Sequence, residues 1–197
     1  MREDYQPFEI GKTIIIAPPD RVPETDKRIL LMERGAFGSG EHETTRSCIE
    51  ILETLEHRDN CRILDLGSGT GILSIAALQL NPAATAVCID IEPEAVISCQ
   101  ENCELNGVNE RVTHLCGTLD SLSETDFDLI LANIYGDILL NVAEGLVAKA
   151  KAGAHILLSG ILWEYNFDVK QAYRQLGGTL ISSRMMSEFC TLLFKKQ

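Results

Sequence analysis

The sequence lacks the features of a membrane or secreted protein. None of its 197 residues belongs to an apolar run that approaches the ~18 residues of a membrane-spanning helix. The first ten residues, MREDYQPFEI, have neither the basic start nor the apolar stretch of a secretory signal. Internal repeats and low-complexity segments are also missing, and the length suits one domain. We therefore expect a cytoplasmic protein with no membrane partner.

Basic residues are scarce. Seventeen Lys and Arg stand against 29 Asp and Glu, which gives a formal net charge of −12. Nonspecific binding to a nucleic-acid backbone depends on clustered Lys and Arg, so we expect no direct nucleic-acid binding. The negative charge favours encounter with a basic partner, although net charge governs solubility and encounter more than specificity.

Paired metal-ligand motifs are missing too. The seven cysteines include no C-x-x-C pair, and the closest two, Cys99 and Cys103, share a helix face without a second pair to complete a zinc site. An odd number of cysteines in such a chain is typical of reduced, mostly buried thiols. We predict no metal site.

What the chain does contain is a regular alternation of short apolar runs and helical segments. Near-continuous apolar runs are typical of strands buried on both faces of a parallel sheet. The predicted fold class is therefore α/β, a doubly wound, mostly parallel sheet of seven strands with helices on both faces. The predicted strands are 61–67, 84–90, 111–117, 127–134, 154–161, 179–186 and 188–196, and the predicted helices are 42–55, 71–80, 93–107, 137–153 and 164–178.

The two ends of the chain depart from this alternation. Too few residues separate the last two strands for a helical crossover, so the final strand is predicted to be antiparallel. Near the start, Gly11 and Lys12 connect QPFEI to TIIIAP, which predicts a short N-terminal hairpin. The Pro-rich, charged segment 19–29 reads as a loop. We divide the chain into a hairpin and linker, residues 1–34, and a main domain, residues 35–197.

A glycine-rich loop follows the first parallel strand. Gly67, Gly69 and Gly71 lie between this strand and the next helix, where open α/β sheets bind ligands through free backbone N–H groups. A nicotinamide fingerprint would need glycine where Ile72 stands. Asp65, just before the loop, favours an ammonium group over a pyrophosphate and so favours a ligand with an amino-acid end. A turn without a ligand is the alternative.

The next two strand ends fit a nucleoside. Asp90 ends the second parallel strand about 20 residues after the glycine loop, where a carboxylate accepts hydrogen bonds from ribose hydroxyls. It suits a cap for the helix near Pro93 equally well. After the third strand, Cys116, Gly117 and Thr118 either line an adenine or form a plain turn.

Together these motifs resemble the class I S-adenosylmethionine-dependent methyltransferases. The stretch FGSGEHETT is similar to the F-G-T-G-x-H-x-T-T signature of one family among them, the bacterial methyltransferases of large-subunit ribosomal protein 11. Ser39 replaces the usual Thr, and Glu43 replaces a common Pro. Members of that family carry a substrate-recognition domain before the hairpin, so the chain is either a trimmed catalytic domain or a relative that selects its substrate differently. The likeness continues through PFEIGKTIIIAP, ILDLGSGTGILSIAA, IDIEPEAV, ENCELNGV, LANI, LSGIL and EFCTLLFKK.

The resemblance implies S-adenosylmethionine as the cofactor and residues 35–197 as the methyltransferase domain. It also implies methyl transfer to lysine ε-amino or N-terminal α-amino groups, with ribosomal protein 11 as the substrate. In such enzymes the methionine end of the cofactor lies by the glycine loop, and a flap of Phe37, Gly38 and Gly40 would cover it. The full set of implied cofactor-binding residues is Phe37, Gly38, Gly40, Thr45, Asp65, Gly67, Gly69, Gly71, Asp90, Ile91, Gly117, Thr118 and Asn133.

Asn133 and Ile134 end the fourth strand and are the candidate catalytic residues. Methyl transfer to nitrogen needs a neutral, desolvated and aligned amine. The side-chain carbonyl of Asn133 and the backbone carbonyl of Ile134 are suitable acceptors for the amine hydrogens. Neither is a strong base, so the proton is expected to leave to water.

Structural alternatives stay open for several of these residues. Asn133 suits a hydrogen bond to a neighbouring turn, and Thr45 competes with Glu43 and Thr44 as a helix cap. His42 either faces the substrate or caps the helix. The three aromatic residues near the same edge either line a pocket for a lysine stem or pack structurally; they are Tyr135, Trp163 and Tyr165.

Three other functions compete with the leading one. A methyltransferase could act on a different protein lysine or on a small amine. A noncatalytic domain would bind S-adenosylmethionine or a protein partner without transfer. A nicotinamide-dependent oxidoreductase is least favoured, because Ile72 breaks its fingerprint.

Overall fold

A computed structural model of the protein describes residues 6–32, 40–56 and 59–197. Strands and helices alternate through most of this length, as the sequence predicts. The helices are α1 (Glu43–Leu52), α2 (Ile72–Leu80), α3 (Pro93–Leu105), α4 (Gly136–Asn141), α5 (Ala143–Lys149) and α6 (Asn166–Gln175). The strands are β1 (Phe8–Ile10), β2 (Ile14–Ala17), β3 (Arg28–Leu31), β4 (Arg62–Leu66), β5 (Thr85–Asp90), β6 (Val112–Cys116), β7 (Phe127–Asn133), β8 (Ala150–Leu162), β9 (Gly178–Met185) and β10 (Phe189–Lys196).

Seven strands form the main sheet in the order β6-β5-β4-β7-β8-β10-β9. The five strands from β6 to β8 are parallel, and β10 is antiparallel to both of its neighbours. The predicted fold, including the reversed last strand, is therefore confirmed. The direction of winding changes between β4 and β7, and ligands of open α/β sheets bind in the crevice at such a point.

The core lies on both faces of this sheet. Successive side chains of a strand point to opposite faces, so Ile63 of β4 belongs to one buried cluster and Leu64 to the other. The first cluster includes residues of α1, α2 and α3, and the second includes residues of α4, α5 and α6. Burial on both faces explains why the central strands read as continuous apolar runs.

The predicted N-terminal hairpin is confirmed, but it belongs to a three-stranded sheet. β1 and β2 pair in antiparallel fashion, and β3 joins β2 in parallel. The end of the predicted loop 19–29 is therefore wrong, because Arg28 and Ile29 lie in β3. Arg28 continues the charged pattern and is exposed, but residues 28–31 pair with β2 and Leu30 is fully buried.

The predicted helix 137–153 is also wrong in its extent. The segment forms two short helices, α4 and α5, which meet at Val142, and β8 already begins at Ala150. Ala and Lys are good helix formers, so local propensity favours a longer helix. Pairing of Ala150 with Phe127 of β7 overrides this preference.

The sequence-based expectation for the thiols is confirmed. All seven cysteines are free, and five of them are buried. Within the described ranges, no helix is long and apolar enough to cross a membrane.

Candidate functional site

The glycine loop between β4 and α2 has a backbone that requires glycine. Gly67, Gly69 and Gly71 have φ values of +70°, +54° and +78°, in the left-handed region that other residues rarely adopt. A Cβ atom on Gly67 would lie 2.4 Å from Cγ2 of Ile134, and one on Gly71 would lie 2.6 Å from Sγ of Cys99. The loop thus packs closely against the end of β7 on one side and against α3 on the other.

Two polar side chains bear directly on this loop. The buried amide of Asn102 in α3 donates to the carbonyl oxygen of Thr70 at 3.0 Å. The hydroxyl of Ser68 is buried and has no hydrogen-bond partner in the described part of the chain. A buried hydroxyl without a partner is costly, so a polar ligand group beside the loop would satisfy it. Asn102 was not predicted from the sequence, where its only signal is a polar residue next to Cys103 on a buried helix face.

Asp90 connects the end of β5 to the glycine loop. Its Oδ2 accepts a hydrogen bond from the Gly69 amide at 2.9 Å, and its Oδ1 accepts one from the Glu92 amide at 3.1 Å. The contact with Glu92 is a local turn before α3, whose N-cap is Glu92, so Asp90 does not cap this helix. Each carboxylate oxygen has more than one acceptor site, so these two bonds leave capacity for ribose hydroxyls.

The end of β6 lies beside the end of β5. The Gly117 amide donates to the Asp90 carbonyl oxygen at 2.8 Å, and Thr118 begins a short 3₁₀ turn. Ile91 is 64% exposed next to Asp90. The structure therefore brings the predicted ribose and adenine residues together with the glycine loop at one edge of the sheet.

Asp65 lies behind the loop. Its side chain is buried, and its Oδ2 accepts a hydrogen bond from the Ser74 hydroxyl at 2.7 Å. Burial disfavours the charged form and raises the pKa of Asp65 to about 7. A cation bound nearby would lower this pKa, because it stabilises the carboxylate.

The start of α1 carries the second half of the signature. His42 is the N-cap, and its Nδ1 accepts a hydrogen bond from the Thr44 amide at 3.3 Å. Its ring also contacts Phe189 edge-on, with centroids 5.2 Å apart. The capping interpretation of His42 therefore holds, and Thr45 is not the cap.

Thr45 instead meets the end of β7. Its hydroxyl Oγ1 lies 3.5 Å from Nδ2 of Asn133, which donates to it across 88 residues of sequence. Thr45 is buried, and Asn133 is half-buried. Because the amide nitrogen of Asn133 faces Thr45, the opposite atom, Oδ1, is the end of this amide that can accept from an amine.

The Ile134 carbonyl packs closely against Gly160 of β8. The Ile134 amide donates to the Ser159 carbonyl oxygen at 3.1 Å. A Cβ atom on Gly160 would lie 2.6 Å from the Ile134 carbonyl oxygen. The pairing of β8 with β10 shifts register at this point, and such a bulge re-aims neighbouring groups. Gly160 was missed as a site residue, although the LSGIL motif contains it.

Glu43 fastens the signature to the far edge of the sheet. Its carboxylate accepts hydrogen bonds from the Ser187 hydroxyl and from the backbone amides of Ser187 and Glu188, in the turn between β9 and β10. The Ser187 hydroxyl is the largest cause of a lowered pKa for Glu43. This contact was not predicted, because it joins residues 144 positions apart.

The remaining predicted residues are those of the flap and the three aromatic residues. Gly40 is buried, and a Cβ atom there would lie 3.0 Å from Cδ1 of Ile72 at the start of α2. The other two residues predicted to form the flap, Phe37 and Gly38, lie outside the described residues. Tyr135, Trp163 and Tyr165 follow the ends of β7 and β8, and the first two are exposed.

Comparison with solved structures defines the class of fold. The chain superposes on a ribosomal protein L11 methylase from Lactobacillus delbrueckii subsp. bulgaricus with a TM-score of 0.86 and 24% identity, covering 98% of this chain and 99% of the other. A precorrin-6y C5,15-methyltransferase from Geobacter metallireducens gives a TM-score of 0.65 and 16% identity, covering 77% and 89%. The fold is that of the class I methyltransferases.

Sequence comparison identifies the family. The family model described as ribosomal protein L11 methyltransferase (PrmA) matches residues 1–197. The protein of that name from Geobacter sulfurreducens is 39% identical over 199 residues, which cover 100% of this chain and 64% of the relative. The one from Bacillus subtilis is 34% identical over 196 residues, which cover 98% and 62%. The chain belongs to the ribosomal protein L11 methyltransferase family and spans less than two thirds of the length of these relatives.

Proposed function

We propose that the protein is an S-adenosylmethionine-dependent N-methyltransferase that modifies lysine ε-amino or N-terminal α-amino groups of ribosomal protein L11. One observation carries the proposal, namely the contact between Thr45 of the signature and Asn133 at the end of β7. It joins the signature to the sheet edge that also holds the glycine loop and Asp90. Membership of the family supports the same activity and substrate.

The residues at this edge fit S-adenosylmethionine. The unpartnered Ser68 hydroxyl and the open space beside Gly69 leave room for a polar ligand, and Asp90 retains acceptor capacity. The cofactor, when bound, supplies an electrophilic methyl group. Its amino-acid end would be held by the glycine loop with Asp65, Thr45 and the flap, its ribose by Asp90 and Ile91, and its adenine by Gly117 and Thr118.

The chemistry assigned to the protein is positioning. Thr45 orients the Asn133 amide, and Gly160 allows the Ile134 carbonyl to lie at the end of β7. Both carbonyl oxygens can accept hydrogen bonds from the N–H groups of a neutral amine. These bonds would orient the amine so that its lone pair points at the methyl group. Alignment of this kind supplies a large part of the acceleration of a displacement reaction. Since neither group is a strong base, the proton released from the amine leaves to water.

The domain organisation and location are part of the same proposal. We assign the methyltransferase domain to residues 35–197, with the hairpin and linker in residues 1–34, and we place the protein in the cytoplasm. The apolar contact of Ile14 and Ile16 with the cluster around α1 and α2 supports a hairpin that serves the domain structurally.

A radiolabel assay tests the activity. Purified protein, labelled S-adenosylmethionine and ribosomal protein L11 should yield labelled L11. Asp90→Ala should weaken cofactor binding at least tenfold by calorimetry, because it removes the acceptor for the ribose hydroxyls. Asp20→Ala, in an exposed loop, is the matched control. Unchanged cofactor affinity in Asp90→Ala would refute the assigned site.

The same assay separates the competing functions. Label found in another protein or in a small amine, with none in L11, would overturn the substrate and keep the chemistry. Cofactor binding without transfer to any acceptor in a cell lysate would indicate a noncatalytic domain. Calorimetric binding of a nicotinamide cofactor in place of S-adenosylmethionine would indicate an oxidoreductase.

A further inference from the structure

Large apolar side chains are exposed beside the candidate transfer site. Tyr135 and Ile138 lie at the start of α4. Trp163 lies in the short 3₁₀ turn before α6, Phe167 lies in the first turn of α6, and Met185 ends β9. Their exposure ranges from 41% to 72%. We name these five residues the apolar rim. Single exposed apolar residues are ordinary, whereas several of them on neighbouring elements indicate an interaction surface.

Several contacts bring the elements of the rim together. A Cβ atom on Gly136 would lie 2.7 Å from Cβ of Tyr165, so the start of α4 packs against the turn before α6. The backbone N–H of Trp163 donates to the Glu188 carbonyl oxygen at 3.2 Å. The side-chain Nδ2 of Asn166 lies 3.7 Å from Sδ of Met185. The rim therefore borders the ends of β7, β8 and β9, and Tyr135 directly follows the candidate acceptor carbonyl of Ile134.

Acidic residues predominate around the rim, and Lys170 of α6, two residues after Asp168, is a cation beside it. The segments 133–148, 156–169 and 185–194 contain five acids and no Lys or Arg. Arg184, which directly precedes Met185, forms an ion pair with Glu50 at 2.9 Å. The five acids are all exposed and are Asp137, Glu144, Glu164, Asp168 and Glu188.

An apolar surface bordered by acids matches a partner that is apolar and basic. A lysine side chain has both properties, since its methylene stem packs on apolar surface while its ammonium group stays in water near a carboxylate. A small amine would reach only Asn133 and Ile134 and would leave the rim uncovered. Methyl transfer to a small amine at the end of β7 would therefore not need the apolar surface of the rim.

We propose that the apolar rim and its acids bind the residues that flank the acceptor lysine in a lysine-rich segment of the protein substrate. This inference rests on the proposed function and deepens it. Apolar residues of the segment pack on Trp163, Phe167 and Met185, and its neighbouring lysines face Glu164 and Asp168. Binding energy from these non-reacting residues holds the acceptor amine at the transfer site.

Fluorescence anisotropy with labelled peptides tests the proposal without requiring methyl transfer. The main probe is a 15-residue peptide in which a central lysine is flanked by leucines and further lysines. In a second peptide the outer lysines are replaced by glutamate. We expect the basic peptide to bind and the acidic peptide to bind at least tenfold more weakly, because like charges oppose it.

Surface variants identify where the peptide binds. Phe167→Ser/Met185→Ser should weaken binding of the basic peptide about tenfold, since exposed apolar anchors carry much of an interface energy. Glu164→Gln/Asp168→Asn should weaken it severalfold and reduce its dependence on salt. The matched controls are Ile97→Ser on α3 and Glu101→Gln/Glu110→Gln, at the opposite end of the sheet, and they should bind as the wild type does.

Two outcomes would overturn the proposal. One is equal binding, or no binding, of the basic peptide to the wild type and to the rim variants. The other is a wild-type dimer in sedimentation velocity that Phe167→Ser/Met185→Ser dissociates, because a second copy would then cover the rim. Calorimetry with S-adenosylmethionine on the same samples reports separately on the proposed function, so failure of cofactor binding would leave the peptide result interpretable.

Discussion

At the scale of single residues, two glycines determine where the acceptor carbonyl lies. Gly67 lets the Ile134 side chain approach the glycine loop, and Gly160 lets the Ile134 carbonyl approach β8. Ile134 thus lies between the glycine loop and the bulge in β8. A side chain at either glycine would displace it, because both contacts would fall under 3.0 Å.

Replacement of Gly160 by alanine tests this placement. We expect Gly160→Ala to lower kcat for methylation of L11 at least tenfold with little change in cofactor affinity, since it moves the Ile134 carbonyl and leaves the glycine loop intact. Gly153→Ala is the matched control, because Gly153 lies in the same strand with φ +79°, close to the +77° of Gly160, and a Cβ atom there meets nothing within 4 Å. Equal kcat values for both variants would refute the assigned position of the carbonyl.

Burial of Asp65 should make the stability of the folded protein depend on pH. Its folded-state pKa of about 7 is raised above the usual value by burial, so folding favours the protonated form. Its contribution to stability is present at low pH and is lost as the pH rises from about 4 through 7. A rise of about three pKa units corresponds to about 4 kcal/mol.

Urea unfolding at several pH values checks this prediction. The free energy of unfolding of the wild type, relative to Asp65→Asn, should fall as the pH is raised from 4.5 to 8. Asp20→Asn, in an exposed loop, controls for the loss of one negative charge. A difference between wild type and Asp65→Asn that does not change with pH would contradict the prediction.

At the scale of elements, side chains fasten the parts of the site to one another. Asn106, the C-cap of α3, accepts from the Leu31 amide at 2.9 Å and donates to the Leu31 carbonyl oxygen at 2.7 Å, which ties β3 to the end of α3. Glu43 ties the start of α1 to the turn between β9 and β10. The signature is therefore supported from the far edge of the sheet as well as by its own helix.

Removal of the Glu43 charge tests this support. Glu43→Gln should weaken the hydrogen bonds to Ser187 and Glu188, because bonds to a charged acceptor are stronger than neutral ones. We expect faster hydrogen exchange at the amides of the first turn of α1 and severalfold weaker cofactor binding. Glu56→Gln, at an exposed position after the other end of α1, is the control, because Glu50 pairs with Arg184 of β9. Exchange in Glu43→Gln that matches the control would show that the turn does not support α1.

At the scale of the whole molecule, one sheet carries two core clusters and the site at a single edge. A ligand at that edge contacts strand ends from both sides of the switch point between β4 and β7. Its binding should therefore stabilise the chain as one unit. Ligand held only by the native state adds about 2.7 kcal/mol at a hundred times its Kd.

Thermal unfolding measures this effect. S-adenosylmethionine at a hundred times its Kd should raise Tm by several degrees in a single transition, since a 1 kcal/mol gain raises Tm by roughly 2–4 °C at this size. Asp90→Ala should lose at least about half of this shift at the same concentration, because tenfold weaker binding leaves about 1.4 kcal/mol of stabilisation. Nicotinamide adenine dinucleotide is the control ligand and should leave Tm unchanged; an equal shift with both ligands would contradict the proposed specificity.

Much of this architecture was predictable from the sequence, and the errors have physical causes. The central strands were predictable because they are buried on both faces. The long helix predicted over 137–153 failed because pairing with β7 recruits Ala150 into a strand against its local propensity. β3 was not predicted, because four residues beside a Pro-rich segment carry little periodic signal.

The sequence by itself determined the fold class and indicated the sheet edge of the candidate site, because burial patterns and a glycine loop are local properties of the chain. Only the tertiary structure decided which distant residues meet. Thr45 contacts Asn133, Glu43 contacts Ser187, and Gly160 makes room for Ile134. These contacts depend on the order of strands in the sheet and on a bulge in β8, and neither is written in the periodicity of any one segment.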